Sequence, residues 1–304
     1  MYKRQVYGTP AEETLAGKTI MVNNGYFRDV DVVLGWHPHN HSEPGEIKHK
    51  AAAAFTMTFH GRAAHACNCP ENGRSALDAA ELTNVGVNYL REHVGRDCYM
   101  HYCYLNGGER PNIVPDYAKL WYMVRAYTYA EMKEVERRVK RIAEGACRMT
   151  DTTVEFETLG DTHDNRLNFA LSRIVYEAMT EIGEPQFTEE EIAYTREIAQ
   201  HAGVAGFTGD FDAHIVPADR TIKIDNGSTD LADVSQVVPT INMFAACFAA
   251  NTPMHTWVVT AQACRPSAHR GMRFAAASLA LAGARLVAEP ESLAAVRAEF
   301  ETER

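Results

Sequence analysis

Residues 51–95, "AAAAFTMTFHGRAAHACNCPENGRSALDAAELTNVGVNYLREHVG", change rhythm partway along. The first eleven, closed by Gly61, are apolar with Phe and Thr interspersed, and read as a strand. From Asn72 the apolar positions recur at helical spacing and stop at Gly95. Downstream, "CYMHYCYLNGG" (98–108) and "YAKLWYMVRAYT" (117–128) read as strands. "AEMKEVERRVKRIAEGACRMT" (130–150) reads as a helix with one charged and one apolar face, and "TTVEFETLG" (152–160) as a closing strand. The order β-α-β-β-α-β is the split βαβ, or ferredoxin-like, pattern, and it assigns residues 51–159 to a compact domain.

Upstream, "YKRQVYG" (2–8) reads as a short strand, and "TPAEE" (9–13) opens a helix to about Asn24, with Gly25 suited to the position after its end. "DVDVVLGWH" (29–37) is a second, Val-rich strand ending at His37. A β-α-β succession implies a parallel sheet. Helical signal resumes after Thr162, in 165–183 and 188–203. Residues 202–240 read as irregular, 255–263 ("HTWVVTAQA") as a strand, and His269–Val287 as an Ala-rich helix followed by a short last one. The expected architecture is an α/β domain from 1–50 and 160–304, with the smaller domain inserted.

A net charge of −10 and a pI near 5.7 argue against a nucleic-acid binder, which needs a basic face. "MYKRQVYGTP" is followed by no apolar run of signal-peptide type. No stretch reaches the ~20 apolar residues of a membrane helix. The nearest, 274–288, contains Arg285 and reads as a core helix. The seven cysteines are scattered, with Cys67 and Cys69 in "CNC" the only close pair; free thiols in a reducing cytoplasm are the expectation.

Several side chains invite chemistry. Glu12 and Glu13 sit at a strand-to-helix turn, where α/β proteins place sites. Acids in a first helical turn are also simply stabilising. His37 ends the next strand, on the edge that Glu13 would share, and a Glu with a His suits zinc or manganese. The neighbours His39 and His41 equally allow "HPHNH" to be a solvated loop. His255 in "NTPMHTW" and His65 in "GRAAHACNCPENG" each have a structural or surface alternative. Arg125 could clamp a carboxylate or be a strand-end charge; Asn112 lies upstream in the same stretch. "DNGSTDLADVS" (225–235) lacks the spacing of an EF-hand and reads as a structured loop near the site.

Taken together, "GTPAEE", "WHP", "FHGRAAHA", "GRSALDAAEL", "NIVPDYAKLWYMVRA", "GSTDLADVS" and "PMHTW" resemble the M20-type metallo-amidohydrolases, in an order that covers most of the chain. The resemblance implies a di-metal α/β catalytic domain with an inserted lid that also dimerises. It implies Glu12 as general base, Glu13, His37 and His255 as ligands of zinc or manganese, and His65 as an oxyanion-stabilising lid residue. Asn112 and Arg125 would grip the substrate. The implied reaction is hydrolysis of an amide in an N-acyl amino acid or an aminobenzoyl-glutamate-like compound, by a homodimer with no nucleic-acid or membrane partner.

The family pattern also has a Gly-Cys-Gly-His type segment upstream of "PAEE", and this sequence starts at the strand leading into that motif. The expectation is therefore an incomplete catalytic domain, weak metal binding and little activity alone. The alternative is a non-catalytic remnant or subunit acting as a dimerisation module.

Overall fold

The structure, a computed structural model, describes residues 4–302. Residues 4–11 follow no regular path, and Val6 is 95% exposed. The strand expected over 2–8 is thus absent from its described part, and its first two residues lie outside the described ones. No neighbouring strand takes up its backbone groups; Tyr7 instead stacks on Phe27 with ring centroids 5.1 Å apart. The helix expected from 9 to 24 is broken. A 3-10 turn, Glu12–Thr14, is flanked by Ala11 and Leu15, both left-handed (φ 63° and 55°), before α1 (Gly17–Asn23) begins. A left-handed residue cannot lie inside an α-helix, and burial of Leu15 turns the chain there. Gly25, at φ 77°, follows the end of α1 as expected.

The chain continues through β1 (Val33–His39), the short β2 (Ile47–Lys48) and β3 (Ala51–His60). Then come α2 (Ala76–Leu90), β4 (Tyr99–Asn106), β5 (Tyr117–Ala126), α3 (Tyr129–Thr150) and β6 (Thr153–Thr162). The sheet order β4-β5-β3-β6 is antiparallel throughout, as the split βαβ pattern requires. Alternation decides its faces. Ala118, Leu120, Tyr122, Val124 and Ala126 of β5 point one way, beside Phe55, Met57 and Phe59 of β3, against α2 and α3. Each large side chain so buried contributes ~1.5–3 kcal/mol. Ser75 and Thr128 cap the two helices with their hydroxyls.

The remaining elements are α4 (Phe169–Ile182), α5 (Glu189–Ala202), β7 (Lys223–Ile224), α6 (Leu231–Val237), β8 (Thr240–Ala246), α7 (Trp257–Ala263), α8 (Pro266–Ala288) and α9 (Pro290–Thr302). The parallel partner of β1 is β8, with His37 opposite Phe244; β2 pairs in parallel with β7. A second core joins Ile241, Met243 and Ala245 of β8 to Leu171, Val175, Phe274 and Leu286. By length and composition alone α8 could cross a membrane; here it packs against α4, β1 and β8.

Two expectations are corrected here. Residues 202–240 are not wholly irregular, since they contain β7 and α6. Residues 255–263 form no strand but the turn into helix α7. The β-branched run Val258-Val259-Thr260 suggested a strand, but Thr256 caps the helix with its hydroxyl. Val258 is buried beside Ile198 and Phe207, and buried Gln262 bonds the backbone of Ala249 and Val258. Packing of one helical face overrides the local preference.

Candidate active site

The acid pair is carried on a strained turn. Glu12 is half-buried and Glu13 exposed, between two left-handed residues that are not glycine. Leu15 N–H donates to Glu12 O (2.8 Å) and Thr14 Oγ1 to Ala11 O (3.0 Å). Strand β6 presses against the turn at Gly160, where a Cβ would lie 2.3 Å from Thr14 O. His255 is another of the six non-glycine residues in the left-handed region among the described residues (φ 59°), exposed in the turn before α7. Such conformations cost ~1–3 kcal/mol each and persist where surrounding structure holds them.

Two carboxylates hold the start of α1, just after the acid-bearing turn. Asp230, fully buried, accepts from Lys18 N (2.7 Å) and Lys18 Nζ (2.8 Å) at the start of α1. Asp233, 4% exposed, accepts from the Thr19 hydroxyl, from His163 N (2.9 Å) and from His163 Nδ1 (2.6 Å). The Asp233 hydrogen bond raises the pKa of His163, against the opposing effect of burial. His163 in turn stacks on Tyr129 of the lid at 3.8 Å. One short segment, 230–233, therefore ties the start of α1 to His163, the residue that follows β6. Sequence reading placed "GSTDLADVS" near the site without seeing this clamp; the signal was two acids set among the apolar residues of a short helix.

At the end of β1, His37 is exposed and its Nδ1 donates to Pro38 O (2.8 Å), leaving the Nε2 lone pair free, as a metal ligand needs. His39 and His41 are not solvated loop residues. They pack edge-on at 4.4 Å, and His39 rests against Phe244. Burial first, then the neighbouring His41, pushes His39 down to about 4, so it is neutral. His41 Nε2 lies 3.2 Å from Glu43, which Lys223 also holds at 2.7 Å. Burial opposes ionisation of Glu43, but the bonds from His41 and Lys223 outweigh it and keep its pKa low.

On the lid, His65 and Asn112 come together. His65 bridges Ile113, and Ala66 N donates to Asn112 O (3.0 Å). Cys67 N and Asn68 N both donate to His65 Nδ1 at 3.2 Å, which assigns the ring proton to Nε2. His65 thus presents an outward N–H donor. Arg125 lies elsewhere, near the end of β5, donating to Asn226 O (3.1 Å). Burial lowers its pKa, and the adjacent Asp225 opposes that effect.

The ligand set inferred from sequence is not assembled. Among the described residues, no group of three or more His, Cys, Asp or Glu side chains has the geometry to hold a metal ion. Glu13 sits in the 3-10 turn before α1. His37 and His255 belong to separate segments at the end of the β1–β8 pair, where Met254 packs on Cys247 and Phe248. Proximity of two segments along a sheet edge does not by itself aim three side chains at one point.

The four-stranded layer has a counterpart among known families: residues 47–150 match the M20 peptidase dimerisation domain. Three comparisons show what the chain as a whole is similar to. It is 36% identical to one of the subunits of the p-aminobenzoyl-glutamate hydrolase of Escherichia coli, across 90% of this chain and 62% of that protein. Its fold is similar to an aminobenzoyl-glutamate utilization protein from Klebsiella pneumoniae (TM-score 0.60, 21% identity, 90% of this chain and 60% of that one). It is also similar in fold to a dinuclear metal-binding M20 peptidase from Bacillus subtilis (TM-score 0.54, 14% identity, 90% and 62%). The chain spans about three fifths of the length of the relatives it matches.

Proposed function

We propose that the chain belongs to an amidohydrolase that cleaves the amide of an N-acyl amino acid or aminobenzoyl-glutamate-like compound. The observation that carries this reading is the 36% identity to one subunit of an aminobenzoyl-glutamate hydrolase. The turn bearing Glu12 and Glu13 lies between left-handed Ala11 and Leu15, but left-handed Asp151, Arg220 and Asn251 bear no candidate residue, so strain alone does not mark the site. The similarity to part of an aminobenzoyl-glutamate hydrolase supports the substrate class. Glu12 takes the proton of the attacking water and delivers it to the leaving nitrogen as the C–N bond breaks, giving a carboxylate and an amine. His65 Nε2–H donates to the oxyanion, a contact worth ~3–4 kcal/mol at the transition state. Asn112 and Arg125 hold the substrate, Arg125 by pairing with a carboxylate once it leaves Asn226 O. Glu13, His37 and His255 are the residues proposed to bind zinc or manganese, in a cytoplasmic enzyme. As placed here they form no ion site, so the chemistry assigned above rests on Glu12 and His65.

A second reading is a protein that acts through association. It is favoured by the unassembled ligand set and by β4, an edge strand exposed from His101 to Asn106. Tyr102, Tyr104 and Leu105 stand open on it, a ready template for pairing with a second copy. The two readings are separated by measuring amine release from N-acyl glutamates, with zinc or manganese added, alongside mass in solution. Turnover that depends on Glu12 supports the enzyme; a dimer with no turnover supports the association module.

A further inference from the structure

We propose that Cys67 and Cys69 form a redox-modifiable dithiol that controls the ring of His65; the control, though not the dithiol, rests on the role assigned to His65 above. Both thiols are free, with Cys67 exposed and Cys69 half-buried, in the turn that follows His65. The turn is wound tightly on the histidine. Cys69 N donates to His65 O (3.2 Å), while Cys67 N and Asn68 N donate to the ring. Two residues in an extended chain span at most about 7 Å, and a wound turn spans less, so the Cα separation admits a disulfide once the turn rearranges to face the two Cβ atoms.

The other cysteines are poor competitors. Burial, then Glu131, pushes Cys98 up to about 11; burial raises Cys147 and pushes Cys247 up to about 12. Cys103 and Cys264 are exposed but lie in separate elements. Among the cysteines, only the 67–69 pair places an exposed thiol with a second thiol two residues away.

The oxidant class is a low-molecular-weight disulfide. One thiolate of the pair attacks it, forming a mixed disulfide and releasing one small thiol. The second cysteine then displaces the other half as a second small thiol. The S67–S69 bond forms, the small disulfide bond breaks, and two electrons and two protons pass to the released thiols. A ring closed over Asn68 re-aims the two peptide N–H groups that hold Nδ1, so the histidine loses the bonds that fix its proton on Nε2.

The test is oxidation of the full chain with oxidised glutathione, followed by alkylation and trypsin. Cleavage after Arg62 and Arg74 leaves both cysteines on the peptide Ala63–Arg74. The expected result is a peptide lighter by two hydrogens and carrying no alkyl group, reversed by dithiothreitol. A peptide that takes up two alkyl groups, or two glutathiones, overturns the dithiol. On the same samples, nitrogen NMR of labelled His65 should show an unprotonated Nδ1 before oxidation and a shifted Nδ1 resonance after it. A disulfide that forms without moving that resonance overturns the control. The variant Cys69→Ser should keep the starting His65 spectrum and lose the response to oxidant. Neither readout uses activity, so failure here is distinct from failure of the hydrolase reading.

Discussion

Replacing Asp230 by Asn tests whether this buried carboxylate holds the start of α1, just after the acid-bearing turn. The side chain is fully buried and pairs with the backbone and the ammonium of Lys18, whose own side chain is 12% exposed. The amide keeps the shape but loses the charge, and its NH₂ faces the ammonium donor to donor. Breaking a buried pair costs ~3–5 kcal/mol, and Lys18 retains some water, so the loss belongs at the low end, about 3 kcal/mol. At ~1.4 kcal/mol per decade this is on the order of 100-fold in the local opening equilibrium. The assay is amide hydrogen exchange followed peptide by peptide. Protection of α1, residues 17–23, should fall by that factor, while β3 and β5 in the lid core keep theirs. The double variant Lys18→Met with Asp230→Leu should recover part of the loss, because no charge is then stranded. Protection of α1 within threefold of the parent in Asp230→Asn would refute the clamp.

Three further outcomes follow from the same geometry. His163, its pKa raised by Asp233, contributes stability that is full below its unfolded value near 6.5 and is lost as pH rises through the higher folded value; proton NMR titration should show Asp233→Asn bringing His163 down and flattening that dependence. Ala11→Gly removes the penalty of an exposed left-handed alanine (φ 63°) and should raise stability by about 1 kcal/mol in urea unfolding. Gly160→Ala drives a methyl to 2.3 Å from Thr14 O, so the acid turn must shift; a loss of ~1–3 kcal/mol is expected, with faster exchange at Leu15 and Ala16.

The four-stranded layer with α2 and α3 is readable because its signals are local. Alternating apolar residues in 117–126, helical periodicity in α2 and α3, and hydroxyl caps at Ser75 and Thr128 all act within a few residues of one another. The body around β1 was less so. Its parallel partner β8, "TINMFAA", lies about 200 residues away in sequence and is nearly all buried, so it lacks the alternation that betrays a half-exposed strand. Residues 255–263 were misread because Val258-Val259-Thr260 favours a strand until Val258 and Gln262 pack one helical face. The candidate residues divide likewise. Residue type and motif pointed to Glu12, His65 and His37, but their conformations depend on distant partners. The clamp from Asp230 and Asp233 to residues 18, 19 and 163 spans contacts no local pattern encodes.

The most direct measurement is amine release from an N-acyl glutamate by the chain and by Glu12→Gln, side by side with zinc or manganese supplied. The hydrolase reading predicts measurable release that falls by at least ~100-fold in the variant, the usual weight of a general base. Release that is equal in both proteins would contradict it.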